Sequence, residues 1–81
     1  LIIAGFYFGI TRIEWMFQIL VFGLVLAVEG LNTAVEKIAD FIHPEYHERI
    51  GFIKDIAAGA VFFAAMTAIA VGCIIYFPYL F

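Results

Sequence analysis

Fourteen consecutive residues, Trp15 to Val28, carry no charge and one amide, Gln18; the chain then turns acidic at once. A surface helix of a soluble domain keeps a polar face beside its apolar stripe. This run has none to keep. The next twelve residues, Glu29 to Asp40, read EGLNTAVEKIAD. Glu29, Asn32, Glu36 and Asp40 stand at offsets of 3, 7 and 11. At about 100° per residue they fall on one helical face roughly 80° wide. The pattern predicts a membrane-spanning helix whose last third carries carboxylates along one stripe. Acids at bilayer depth are costly, which marks them as functional candidates.

Composition points the same way. Of 81 residues, 67% are hydrophobic and 14% charged, with a formal net charge of −3. So short a chain makes one small domain, residues 1–81, and cannot bury that much apolar surface against itself. Lipid covers what the fold cannot. The negative balance gives no basic footprint for nucleic acid. The lone cysteine, Cys73, has no internal disulfide partner and reads as a small buried residue in an apolar run.

Taken in order, Leu1 to Ile10 is apolar but spans only about 15 Å as a helix, half a hydrocarbon core. It reads as the end of a longer first span. Thr11 to Glu14 (TRIE) reads as a polar turn, with Trp15 as an interfacial anchor. The second span runs from about Trp15 to Ile42, roughly 40 Å, so its last turns project into headgroups and water. Glu29 then lies inside the bilayer edge, and Glu36 and Asp40 at the aqueous boundary. His43 to Phe52 (HPEYHERIGF) reads as the connection, with Pro44 ending the helix and Gly51 permitting the reversal. Lys54 and Asp55 open a third span, Ile56 to Phe77, which is uncharged. Ala60, Ala64 and Ala68 form a small-residue stripe suited to close helix packing. Tyr76, Pro78 and Tyr79 close the span as an interfacial belt. The expected fold is therefore an all-α integral membrane bundle of three transmembrane helices, the first one short here. Lys37, Arg49 and Lys54 against Arg12 alone place the acid-rich loop in the cytoplasm.

The acid-rich end gathers Glu29, Asn32, Glu36, Asp40, Glu45, Tyr46, His47, Lys54 and Asp55. Several carboxylates with no cysteine cluster suit a hard cation such as Mg²⁺, which takes one or two carboxylates plus phosphate oxygens. A lysine and a histidine suit phosphate. A carboxylate at a lipid edge suits a general base for an alcohol. Phosphoryl transfer from a nucleotide to a lipid hydroxyl uses all of these together. Neither GxxxxGK[ST] nor GxGxxG occurs, so a nucleotide site would be of no familiar soluble type.

E-x-x-N-T-A-x-E-K-x-x-D at Glu29 to Asp40, E-Y-H at Glu45 to His47 and K-D-x-A-A-G-A-V at Lys54 to Val61 together resemble the prokaryotic diacylglycerol kinase family, which includes undecaprenol kinases. The resemblance implies a homotrimer of three-span protomers preceded by an amphipathic surface helix, with active sites shared between neighbours in the bacterial inner membrane. It implies that Glu29 accepts the proton of the lipid hydroxyl and that Asn32 orients the substrate. It assigns Glu36 to the divalent metal, and Glu45, Tyr46, His47, Lys54 and Asp55 to the ATP site. Asp40 becomes a supporting member. Two departures accompany it: the family's surface helix supplies a further metal-binding glutamate and an ATP-contacting arginine, both absent here, and Ala58 stands where some relatives carry a serine. The implied activity is Mg²⁺- and ATP-dependent phosphorylation of diacylglycerol, or alternatively of undecaprenol. A small proton-coupled transporter and a catalytically inactive membrane fragment are the rival expectations.

Overall fold

The structure is a computed structural model that describes residues 1–45 and 47–81. Its described residues form three helices: α1 (Ile2–Phe8), α2 (Arg12–Ile42) and α3 (Glu48–Leu80). α2 and α3 pack against each other as an antiparallel hairpin. At 1.5 Å per residue each is about 46 to 50 Å long, matching the 50 × 18 × 16 Å envelope of the chain. The radius of gyration, 16.9 Å, exceeds the roughly 12 Å of a compact domain of this length. The molecule is a rod.

Local chemistry sets each boundary. α1 stops at Gly9, whose φ of 62° and ψ of 48° are left-handed; only glycine takes that conformation without a Cβ penalty. α2 starts at Arg12, one turn before the expected Trp15, because TRIE is a capping box and not a turn. Thr11 Oγ1 accepts the Glu14 N–H at 3.2 Å, and Glu14 Oε1 accepts the Thr11 N–H at 2.8 Å, which satisfies two donors that a helix start would otherwise strand. α2 ends before Pro44, whose ring drives His43 out of helical geometry, to φ −145° and ψ 87°.

Several expectations change at α3. It begins at Glu48, so Gly51 and Phe52 lie inside the helix and neither takes part in the reversal. His47 caps it, its Nδ1 accepting the Arg49 N–H at 3.2 Å. At the other end Pro78 sits within the helix, where the last turn has few amide bonds left to lose. Tyr76 does not join an interfacial belt; it is buried with Ile10 and Ile75, and Ala4, Phe8, Trp15 and Val71 pack around them. Of the alanine stripe, Ala64 is buried and Ala68 half-buried, but Ala60 is exposed. Cys73 is exposed, not buried.

Gly5 explains why α1 can dock at all. A Cβ there would sit 2.6 Å from Trp15 Cζ2, so the bare backbone lets the indole lie against the helix. Beneath it a polar cluster is closed off from outside. Gln18 is only 6% exposed; its Nε2 donates to the Leu1 carbonyl at 3.3 Å, and the Tyr76 hydroxyl donates to Gln18 Oε1.

Almost everything else apolar faces outward. Leu20, Phe22, Leu26, Phe62, Phe63 and Ile69 are each more than half exposed. Two helices, α2 and α3, are long and apolar enough to cross a bilayer. The core helix of a soluble protein would be mostly covered; these are mostly bare. α1 is too short to cross by itself. The chain is a membrane protein.

Candidate functional site

The two ends of the hairpin differ chemically. At one end lie Glu14, Gln18, Tyr76 and Tyr79, bonded among themselves, the Tyr79 hydroxyl donating to Glu14 Oε1 at 2.6 Å. At the other end lie the sequence's candidate residues, and there the polar groups are only partly engaged.

Asn32 and Glu36 stand one helical turn apart on α2, and Asn32 Nδ2 donates to Glu36 Oε1 at 3.3 Å. A carboxylate only accepts, so the amide nitrogen must face it. That fixes Asn32 Oδ1 as a leftover acceptor. It is buried and has no hydrogen-bond partner among the described residues. Leaving such an atom unpaired costs about 1 to 3 kcal/mol. Asn32 also lines an apolar recess of about 350 Å³ between the helices, with Val28, Leu31, Val35, Ile53 and Ala57. A buried acceptor in an apolar wall suits a ligand that brings one O–H donor on a greasy body.

One turn nearer the loop, Lys54 Nζ meets Asp40 Oδ1 at 2.5 Å, the one salt bridge among the described residues. It ties α3 to α2 across the loop. Both side chains reach water, being 35% and 61% exposed. Glu29 is exposed one turn before Asn32 on the bilayer side, and Thr33 Oγ1 donates to its backbone carbonyl at 3.0 Å, which leaves its carboxylate free of that bond. Asp55 is exposed beside Lys54 in sequence. Tyr46 lies outside the described residues.

In the loop, hydrogen bonding sets the histidine tautomers. His43 Nδ1 lies 2.6 Å from the Glu45 carbonyl; a carbonyl only accepts, so that nitrogen carries the proton. His47 Nδ1 accepts from Arg49 N–H, so when neutral its Nε2 carries the proton. His47 therefore offers an Nε2–H donor, the form that suits a phosphate oxygen. The rings lie 5.1 Å apart. Sequence patterning does not reveal the capping role of His47 or the Gln18–Tyr76 pair; a lone amide inside an apolar run is the signal for the latter.

The described residues contain no group of three or more metal-ligating side chains. A cation held mainly by phosphates does not need one, since Mg²⁺ is commonly bound through one or two carboxylates. Glu36 fits that demand: it is exposed, and Asn32 engages one of its oxygens.

An apolar hairpin with carboxylates, an amide and a lysine gathered at one end defines an integral membrane protein with a polar cluster at that end of its helices. The chain belongs to the prokaryotic diacylglycerol kinase family, whose profile matches residues 1–76. It is 38% identical to the undecaprenol kinase of Bacillus subtilis (strain 168) over 77 residues, which cover 95% of this chain and 63% of that protein. It is 39% identical to the diacylglycerol kinase of Escherichia coli (strain K12) over 67 residues, 83% of this chain and 52% of that protein. To the Haemophilus influenzae diacylglycerol kinase it is 41% identical over 78 residues, 95% of this chain and 66% of that protein. The chain thus spans roughly half to two thirds of these relatives' length. No solved structure gives a significant match.

Proposed function

We propose that the chain is the membrane domain of a lipid kinase that transfers a phosphoryl group from ATP to the hydroxyl of a lipid alcohol, diacylglycerol in the first instance, at the cytoplasmic face of the inner membrane. Family membership supports the reaction class. The observation that carries the assignment of the site is the orphaned, buried Oδ1 of Asn32, a residue that lines an apolar recess, stands one turn from Glu29 and bonds through its own amide to Glu36.

In this reading the lipid's acyl chains lie along the exposed apolar faces of α2 and α3, and its hydroxyl donates to Asn32 Oδ1. Glu29, on the same face and nearer the hydrocarbon, then takes that one proton from its hydrogen bond to Asn32 as the lipid oxygen bonds to the γ-phosphorus, while the bond from that phosphorus to the bridging oxygen breaks and ADP leaves. Glu36 would hold Mg²⁺, which neutralises phosphate charge when bound. Lys54 and the His47 Nε2–H meet the phosphate oxygens, where fixed positive charge and donors stabilise the charge that develops in transfer. Glu45, Tyr46 and Asp55 complete the nucleotide's surroundings. Assembly as a homotrimer, with sites shared between neighbours, would cover part of the bare apolar surface.

The test is Glu29→Gln in the purified protein, assayed with labelled ATP and each lipid alcohol side by side. The substitution keeps size and polarity and removes the base, so transfer should fall at least 100-fold while assembly in detergent is unchanged. Turnover within a few-fold of wild type would exclude the role given to Glu29. Preference between diacylglycerol and undecaprenol is read from the same experiment.

A further inference from the structure

The lysine assigned to phosphate is not free: a carboxylate already holds it. Lys54 Nζ is 2.5 Å from Asp40 Oδ1, while Glu36, assigned to the metal, lies one turn away on α2. From this juxtaposition we infer that Asp40 is a positioning residue that parks Lys54 in the nucleotide-free protein, and that phosphate takes the lysine over by exchange. The inference rests on the kinase reading and adds to it a competition built into the site.

Three observations support exchange and not a permanent structural tie. The pair is well over a third exposed on the Asp40 side, and exposed pairs are weak, about 0.2 to 1 kcal/mol, so a multiply charged phosphate can outbid the carboxylate. Lysine is a flexible point-charge donor whose four-carbon stem can swing between two acceptors. The bond also joins the helix carrying Glu36, which ends at Ile42, to the helix carrying Lys54, which starts at Glu48. Releasing Lys54 therefore frees the one described ion pair that fixes the two helices at the water boundary.

Removing the competitor should tighten nucleotide binding. In the protein purified in detergent, Asp40→Asn should lower KM for Mg-ATP about threefold, the worth of an exposed ion pair, with kcat within twofold. Asp40→Glu should restore the wild-type KM. A general gain from losing one negative charge is separated in two ways. Glu48→Gln removes a charge at the same end and should leave KM unchanged. In a Lys54→Met background, Asp40→Asn should no longer change the dissociation constant of Mg-ATP. A second readout needs no turnover: acylation of Lys54 relative to Lys37, measured by mass spectrometry, should rise about threefold in Asp40→Asn without nucleotide, and Mg-ATP, which takes up the freed amine, should lower the ratio again in that variant. Raising the salt to about 1 M should raise the ratio in the nucleotide-free wild-type protein, because screening loosens exposed pairs. An unchanged or raised KM in Asp40→Asn, an equal drop in Glu48→Gln, or a flat acylation ratio in Asp40→Asn would overturn the exchange. A wild-type protein that neither binds nor turns over ATP defeats the kinase reading, an outcome distinct from these.

Discussion

Tyr76→Phe should destabilise the helix hairpin far from the candidate site. Phenylalanine keeps the ring that packs on Ile10, Ile75 and Phe8 and deletes only the hydroxyl. That hydroxyl donates to Gln18 Oε1 and lies 3.1 Å from the Leu1 carbonyl. Tyr76 and Gln18 are 8% and 6% exposed, so neither amide oxygen nor hydroxyl has water as a fallback. Hydrogen bonds between membrane helices are worth about 0.6 kcal/mol on average and up to roughly 1.7. Stranding a buried acceptor adds a desolvation penalty of about 1 to 3 kcal/mol. The two overlap, and the expected loss is about 1.5 to 3 kcal/mol. Gln18→Leu alone should cost less, because Tyr76 keeps the Leu1 carbonyl within reach. The double variant removes both partners and should lie within about 1 kcal/mol of wild type, since an apolar pair suits a membrane interior. The assay is reversible unfolding in mixed micelles by added SDS, followed by helical circular dichroism, over the full double-mutant cycle. A coupling energy below about 0.5 kcal/mol, with the single losses simply adding, would refute the account of a closed polar pair.

Two further outcomes follow from local geometry. Gly5→Ala places a Cβ 2.6 Å from the Trp15 ring, so α1 should be pushed off α2 at a cost of about 1 to 3 kcal/mol; Trp15 is the only tryptophan, and its emission maximum should shift, whereas an unmoved spectrum would contradict the docking. His47→Asn should keep the α3 cap, because asparagine is a strong N-cap, while His47→Ala should lose about 1 kcal/mol of stability; if His47→Asn is stable yet weak in ATP binding, capping and phosphate contact are separated, and equal stability of both variants would deny the cap.

Sequence alone settled the solvent. A run such as Trp15 to Val28 has no polar face, and that excludes a surface helix of a soluble domain. Periodicity also settled which residues share a face, because Glu29, Asn32, Glu36 and Asp40 are fixed by helical geometry within one element; the Asn32–Glu36 bond is that arithmetic made visible. Short-range signals were present but ambiguous. TRIE could be a turn or a capping box, and only the helix that grows from it distinguishes them. Gly51 could break a helix or ride inside one, and the cap from His47 decided for the helix.

What tertiary structure decided was pairing between elements. Lys54 finds Asp40 fourteen positions away, and Tyr76 finds Gln18 fifty-eight away. Neither distance is encoded in a helical repeat; each depends on where the reversal falls and how α3 rotates against α2. An alanine stripe predicts that some face packs, yet Ala64 is covered and Ala60 is not, because two straight rods touch along a narrower line than a sequence pattern can mark. Hydropathy tells a chain where it must live, whereas the meeting of one side chain with another waits on the rigid-body fit of the helices.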